Sequence, residues 1–105
     1  MKCRFLNLPL RDGFTNLAFE QALLQYTKES QDFTIVFTGW KPTVSIGNSQ
    51  SLALDVDQRA CKDRGIPIVR RFSGGQAVFI DKNYIVVNVF GPRALFPVSL
   101  TKLRE

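Results

Sequence analysis

The most informative stretch of the sequence reads Arg70-Arg71-Phe72-Ser73-Gly74-Gly75-Gln76-Ala77-Val78. Two arginines stand where a strand pattern ends, and the two glycines permit a tight turn with positive φ and a close approach of other groups. The N–H groups of such a turn can hold a phosphate or carboxylate, while an arginine adds a bidentate charge. The same residues also suit a plain hairpin turn beside two solvated arginines, because short glycine-rich matches are weak signals. From the residues alone both interpretations stay open.

The segment before this loop begins with a strand pattern and a helix pattern. Residues 4–8 predict a short strand that Pro9 closes. Helix formers over residues 17–26 predict a helix with Thr15 or Asn16 as its N-cap. The apolar stripe of that helix is expected to comprise Leu17, Ala18, Ala22, Leu23 and Leu24.

Two more strands and a second helix are predicted before the loop. Aromatic and β-branched residues indicate strands at residues 33–38 and 43–46. The second helix is expected over about residues 54–64, where Asp55 and Gln58 resemble a capping box.

The end of the second helix is a clear local signal. Gly65 can take the left-handed position after the last turn, and Pro67 cannot continue a helix. Ser99 resembles the cap of a final helix, which reaches only about two turns by residue 105, so we expect a truncated piece or one half of a split protein. Strands are predicted around and after the loop, at residues 68–72, 76–80 and 84–90.

The length and composition describe one small folded domain. The chain has 105 residues, of which 45% are hydrophobic and 22% charged, so disorder is not expected. No apolar run is long enough to span a bilayer, and no apolar stretch follows the charges at the N-terminus as in a signal peptide. The sequence therefore predicts a cytoplasmic protein without a membrane partner.

Charge and reactive side chains limit the chemistry. The net charge of +5 favours anionic partners, but nucleic acid is not favoured because no run of Lys and Arg accompanies it. Histidine is absent, so Ser-His and Cys-His nucleophile pairs are excluded. Cys3 and Cys61 match no zinc spacing and are expected to be buried thiols.

Three ordered motifs, within about residues 4 to 90, resemble the biotin/lipoate protein ligase family, and within it the lipoate–protein ligase A type. Members carry R-R-x-S-G-G-G-A-V-[FY]-H-D, which is similar to residues 70–81. Their first helix carries N-L-A-x-E-x-A-L-L, matched by residues 16–24, and W-x-x-x-T-V-x-I-G-x-x-Q is close to residues 40–50. The G-R-G-R-x-G loop of biotin ligases is not found.

Departures from the family pattern shift weight toward the related octanoyl and lipoyl transferases. Gln76 replaces the third glycine, and Ile80 replaces the family histidine that lines the lipoyl pocket. The essential lysine of the family lies downstream of residue 105, and Lys102 is too close to the loop to take its role. The cysteine of cysteine-dependent octanoyl transferases also lies downstream, so Cys61 does not inherit it. The catalytic residue is therefore unknown.

The resemblance implies an α+β domain of the biotin/lipoyl ligase class, class II synthetase-like, with helices on a largely antiparallel or mixed sheet. Residues 1–105 would form the N-terminal part of a lipoate–protein ligase catalytic domain. Such a ligase activates lipoate or octanoate with ATP and Mg²⁺, forms the acyl adenylate, and acylates a lysine of a lipoyl carrier domain. No metal ligand is identifiable in the sequence.

The resemblance also implies a binding site for the lipoyl adenylate. Arg71 and the N–H groups of Gly75, Gln76 and Ala77 suit its negative charge. Trp40 and the strand at Val78 are expected to wall the acyl chain, although Trp40 by its position alone would be a core or rim aromatic. The full expected binding set is Trp40, Arg71, Ser73, Gly74, Gly75, Gln76, Ala77 and Val78.

Expected partners are lipoyl carrier domains, either the 2-oxoacid dehydrogenase E2 component or the glycine cleavage H protein. A separate polypeptide that supplies the missing half is a further candidate. Three alternatives to the ligase stay open: an octanoyl/lipoyl transferase that works from an acyl carrier, a non-catalytic acyl-binding half-protein, and an anion- or nucleic-acid-binding domain that uses Arg70 and Arg71.

Overall fold

A computed structural model of the chain describes residues 2–95. Within this range the chain folds into two three-stranded sheets, one long helix and two short ones, which confirms the predicted α+β class with mixed sheets. The predicted helix at Ser99 lies outside the described residues. The elements are β1 Cys3–Arg11, α1 Gly13–Ser30, β2 Phe33–Trp40, β3 Thr43–Ile46, α2 Leu52–Asp55, α3 Gln58–Asp63, β4 Ile68–Arg70, β5 Val78–Ile80, β6 Val86–Phe90 and a 3₁₀ turn Arg93–Leu95.

The central strand of each sheet has one parallel and one antiparallel neighbour. In the first sheet β2 lies between β1, which is parallel to it, and β6, which is antiparallel. In the second sheet β3 lies between the parallel β4 and the antiparallel β5. The loop from β4 to β5 therefore crosses the end of β3, and this brings the turn after β3 next to the glycines.

Helix α1 covers one face of the first sheet. Its buried residues are three, seven and four positions apart, as expected for one face of a helix. Two of them, Asn16 and Thr27, are polar and are satisfied: the Asn16 amide donates to the carbonyl of Gly39 at 3.2 Å, and the Thr27 hydroxyl donates to the carbonyl of Leu23 at 2.8 Å. The predicted stripe is wrong at Ala18, Ala22 and Leu24, which are exposed. The buried residues of α1 are Gly13, Asn16, Leu23 and Thr27.

The predicted start of α1 is also wrong. Asp12 is the N-cap: its carboxylate accepts hydrogen bonds from the N–H of Thr15 at 2.9 Å and from the Thr15 hydroxyl at 2.6 Å. The earlier start is possible because Gly13 has no side chain. A Cβ there would lie 2.8 Å from Thr43 Cγ2 and 3.0 Å from the ring of Trp40, so only glycine lets the helix end approach the sheet this closely.

Three other local predictions need correction. Strand β1 continues through Pro9, because β1 is an edge strand and its register with β2 shifts between Leu8 and Arg11, where proline's missing N–H is tolerated. The second helix is split, because Val56 has an extended backbone and Asp57 caps a new helix. Asp55 therefore forms no capping box with Gln58; its carboxylate accepts from the N–H of Ser51 at 3.0 Å. The predicted stop is confirmed by Gly65, whose φ is +65°.

The strands beside the loop are shorter than predicted. Strand β4 ends at Arg70 and β5 begins at Val78, so residues 71–77 form the loop. Cys3 is exposed and Cys61 is partly exposed, so the prediction of buried thiols is wrong, most clearly for Cys3. None of the helices formed by the described residues has both the length and the apolar character needed to cross a membrane.

Candidate functional site

The candidate site is built where the loop of residues 71–77, the glycine loop, meets the turn of residues 47–50, the β3 turn. Gly75 has a φ of +103°, a conformation that favours glycine. Gly47 faces it so closely that a Cβ on Gly47 would overlap the carbonyl oxygen of Gly75. The N–H of Asn48 also donates to the carbonyl of Ser73 at 2.9 Å. The two backbone segments are thus in direct contact.

Arg71 ties the glycine loop to β3. Its Nη1 donates to the carbonyl and hydroxyl oxygens of Ser45 at 3.0 and 3.2 Å. Its Nε and Nη2 donate to the carbonyl of Gly74 at 3.2 and 2.9 Å, and Nη2 also donates to the carbonyl of Gln76 at 2.8 Å. These five contacts match the five N–H groups of a guanidinium, so Arg71 holds both limbs of the loop.

Arg70 contacts the β3 turn. Its Nη1 lies 3.2 Å from the carbonyl oxygen of Gly47, 3.1 Å from that of Asn48 and 2.8 Å from that of Gln50. The side-chain oxygen of Gln50 closes the same turn by accepting from the N–H of Gly47 at 2.8 Å. The two adjacent arginines therefore organise different segments, with Arg71 half-buried and Arg70 exposed.

The donors around the loop fix the direction of its peptide units. The carbonyls of Ser73, Gly74 and Gln76 all accept hydrogen bonds from Asn48 or Arg71. Because the C=O and N–H of a trans peptide unit point in opposite directions, the N–H groups of the next residues point away from these donors. Within residues 2–95, the backbone N–H groups of Gly74, Gly75 and Ala77 donate no hydrogen bond. Such a row of outward N–H groups is typical of an anion-binding turn.

A cleft of about 380 Å³ lies between α1 and the start of the glycine loop at Arg71 and Phe72. Its volume is within the usual range for small-molecule sites. Phe14 and Leu17 of α1 and Phe72 of the loop supply apolar surface, while the two arginines supply positive charge. An apolar chain with an anionic or polar end is the kind of ligand that fits such a lining. The lining residues are Phe14, Leu17, Ala18, Gln21, Asn48, Arg70, Arg71 and Phe72.

Of the predicted site residues, only Arg71 lines the cleft. Ser73, Gly74, Gly75 and Gln76 continue the same loop, where Arg71 holds the carbonyls of Gly74 and Gln76, and they are not among the residues that line the cleft. Ala77 connects the loop to β5, where Val78 is paired with Ser45, the residue that Arg71 contacts. That these residues bind a ligand stays a prediction.

Trp40 lies apart from the cleft. It is at the end of β2, only 2% exposed, and its ring lies beneath Gly13. Its indole N–H is buried and has no acceptor within the described part of the chain. Its role in acyl binding stays a prediction, and its packing in this structure is that of a core aromatic.

Several residues of the site were not predicted. Gly47 and Gln50 stood in a recognised motif, I-G-x-x-Q, but their role in supporting the loop appears only when the two backbones are seen in contact. Phe14 carried no signal, because exposed apolar residues on a helix are common, and Leu17 was expected only as part of the apolar stripe of α1.

The described residues offer no built metal site. Among residues 2–95, no group of three or more His, Cys, Asp or Glu side chains lies together as ligands would. The half-buried Glu20 contacts a strand of the first sheet: its carboxylate accepts from the amide of Asn88 at 2.6 Å, and burial raises the pKa of this carboxyl.

Comparison with known proteins identifies the family. Residues 12–104 match the family described as the lipoyl protein ligase A/B catalytic domain. The chain belongs to this family. The octanoyltransferase LipM of Moorella thermoacetica is 39% identical over 80 residues, which are 74% of this chain and 29% of that enzyme. The resemblance stated from the three motifs is thereby confirmed.

Solved structures of lipoate-protein ligases support the same family assignment. A lipoate-protein ligase A bound with ATP has a TM-score of 0.80 at 26% identity, covering 98% of this chain and 41% of that one. The bi-partite lipoate protein ligase of Thermoplasma acidophilum, solved in a study that includes its E2 lipoyl domain, has a TM-score of 0.77 at 28% identity and covers 85% of this chain and 35% of that one. The chain thus spans less than half the length of these relatives.

Proposed function

We propose that this chain is the N-terminal part of a lipoyl or octanoyl transferring catalytic domain, and that its glycine loop holds the carboxyl end of the acyl group. The observation that carries the proposal is the direction of the loop: its carbonyls are held by Arg71 and Asn48, and the N–H groups of Gly74, Gly75 and Ala77 are left for a ligand. The apolar part of the cleft suits the acyl chain.

The loop would act on charge that develops at the acyl carbonyl. A lysine amine of the carrier domain attacks the carbonyl carbon, and the oxygen becomes negative as the C–N bond forms. The bond to the leaving group then breaks, and the amine's proton is lost to the leaving group or solvent. Fixed N–H donors stabilise such an oxyanion, and one donor is typically worth about 10²–10³ in rate. No group within residues 2–95 is assigned as the nucleophile or base.

Two acyl donors are compatible with this loop. Transfer from an acyl-carrier thioester needs no ATP, since the thioester is already activated; it is favoured by the 39% identity to an octanoyltransferase and by Gln76 and Ile80 in place of family residues. Ligation through an acyl adenylate, in which the carboxylate attacks the α-phosphate of ATP, is the second candidate. It is favoured by the likeness to a ligase bound with ATP.

The acceptor would be a lipoyl carrier domain, the E2 component of a 2-oxoacid dehydrogenase or the glycine cleavage H protein. The solved Thermoplasma ligase, studied with its E2 lipoyl domain, supports this choice. A catalytic lysine or cysteine would have to come from polypeptide equivalent to the remainder of the relatives.

A calorimetric titration tests the proposal and separates the donors. We expect the chain to bind octanoyl-pantetheine and a non-hydrolysable octanoyl-adenylate analogue, and not the same molecules without the acyl chain. Preference for the thioester supports the transferase, and preference for the adenylate supports the ligase. Binding that ignores the acyl chain but weakens steeply with salt would instead indicate a general anion or nucleic-acid site.

A further inference from the structure

A second, smaller pocket lies against the second sheet, and it is called here the α3 pocket. Adjacent residues of a strand point to opposite faces, so Val44 faces away from the side on which Ser45 contacts Arg71. Val44 pairs with Phe79 of β5, and residues of α3 and of the turn after it complete the walls. The pocket has a volume of about 220 Å³. The lining residues are Val44, Ala60, Cys61, Arg64, Ile66 and Phe79.

Backbone hydrogen bonds fix the walls of the α3 pocket. Gly65, with a φ of +65°, reverses the chain after α3, and the N–H of Ile66 donates to the carbonyl of Cys61 at 2.8 Å. The carbonyl of Pro67 accepts from the N–H of Val44 at 3.0 Å, which ties the segment after the turn to β3. The pocket is therefore formed without a ligand, and a preformed site loses less entropy on binding.

The lining of the α3 pocket is apolar with one cation. The ring of Phe79 is 45% exposed, and Val44, Ala60 and Ile66 extend the apolar surface beside it. Within residues 2–95, no acidic side chain lines the pocket, and the guanidinium of the exposed Arg64 has no hydrogen-bond or ion-pair partner. Apolar surface beside an unpaired guanidinium suits an apolar chain that ends in an anion.

The end of α3 does not oppose an anion at this place. Free carbonyl groups at the C-terminal end of a helix normally repel negative charge. Here the carbonyls of residues 60–62 already accept hydrogen bonds from the N–H groups of residues 64–66, at 2.8–3.1 Å. These bonds occupy the groups that would otherwise repel a carboxylate bound to Arg64.

We propose that the α3 pocket binds a free medium-chain carboxylate, with its chain against Val44 and Phe79 and its carboxylate on Arg64. A guanidinium binds a carboxylate through two parallel hydrogen bonds. The pocket is smaller than the range of about 300–1,000 Å³ that is typical of sites for drug-sized ligands, which indicates a short chain. The site is separate from the cleft beside the glycine loop, so its ligand binds whether or not the chain takes part in acyl transfer.

Two native cysteines report whether the pocket is occupied. Cys61 lines it, whereas Cys3 is exposed on β1 of the first sheet. We expect octanoate to slow alkylation of Cys61 at least fivefold and to leave alkylation of Cys3 unchanged. Octan-1-ol and octylamine, which lack the anionic end, should bind at least threefold more weakly. In calorimetric titrations, each methylene removed from octanoate should weaken binding about fourfold.

Variants of α3 locate the contact. Arg64→Gln should weaken octanoate binding at least threefold and leave octan-1-ol binding unchanged. Arg59→Gln is the matched control, because Arg59 is an exposed arginine of the same helix that does not line the pocket. Ala60→Phe fills the pocket while it keeps the charge, and it should abolish the protection of Cys61. Far-UV circular dichroism checks that each variant is folded.

The proposal is overturned if octanoate does not protect Cys61, if protection survives both Arg64→Gln and Ala60→Phe, or if octylamine protects equally well. Displacement of octanoate by the octanoyl-adenylate analogue would also overturn it, because octanoate would then occupy the cleft beside the glycine loop. A dimer of the chain in which Cys61 already resists alkylation would assign the pocket to a second copy. Octanoate binding in the α3 pocket without binding of any acyl donor would reject the proposed function and leave this site standing.

Discussion

The two sheets of this molecule are held together in different ways. The first sheet is stabilised by side-chain burial beneath α1, with Val36 of its central strand almost fully buried. At the end of the second sheet, the β3 turn and the glycine loop are in direct backbone contact, Gly47 against Gly75. Two arginines hold these segments: Arg70 binds the β3 turn and Arg71 binds the glycine loop. The first sheet should therefore affect stability alone, whereas substitutions in the glycine loop and the β3 turn should reduce both stability and ligand binding.

The largest effect is expected where the two glycines meet. Gly47→Ala should abolish detectable binding of the octanoyl-adenylate analogue and destabilise the fold by about 3 kcal/mol, because its Cβ would overlap backbone that cannot move aside cheaply. Gly74→Ala is the control for stability: no atom lies within 4 Å of the Cβ position, and its φ is not positive. Calorimetry and urea unfolding measure both. Equal behaviour of the two variants would show that the close contact of the loops is unimportant.

The two arginines give the next contrast. Arg71→Ala removes five hydrogen bonds from a half-buried guanidinium and should cost about 2–3 kcal/mol of stability and weaken binding of the analogue at least tenfold. Arg70→Ala should cost less, because Arg70 is exposed and contacts three carbonyls through one nitrogen. Comparable losses for both variants in unfolding and titration experiments would contradict this division of roles.

A core substitution in the first sheet should reduce stability and leave the affinity for the analogue nearly unchanged. Val36→Ala deletes two buried methyl groups and should cost about 2 kcal/mol, measured by urea unfolding. Affinity for the analogue, measured below the unfolding midpoint, should change less than twofold. A loss of affinity as large as that of Arg71→Ala would mean that the two sheets are coupled.

The smallest effect concerns pH. Burial raises the pKa of Glu20 even though Asn88 donates to its carboxylate, so the folded chain binds this proton more tightly than the unfolded chain. Stability should therefore fall as the pH rises from the ordinary glutamate pKa through the raised one. Glu20→Gln should flatten that part of a stability-against-pH curve and be no less stable at neutral pH. An unchanged slope would contradict the role given to burial.

The sequence predicted features that depend on local chemistry. The strand of residues 43–46, the stop at Gly65 and the positive φ of Gly75 all follow from residue type and neighbours. The start of α1 at Gly13 could not be predicted in this way, because it depends on contact with Thr43, thirty residues away. The roles of Arg70 and Arg71 could not be predicted either. The alternation of side chains along a strand predicts that the two point to opposite faces, but the carbonyls they contact belong to segments that only the fold brings together.

The most direct test of the central claim is to observe the loop's amides. In ¹⁵N-labelled protein titrated with the octanoyl-adenylate analogue, we expect the largest shift changes at the N–H groups of Gly74, Gly75 and Ala77, and little change in β2 and β6. The same titration with adenosine monophosphate should move them far less. Shifts confined to the first sheet, or none at the glycine loop while calorimetry reports binding, would contradict the account.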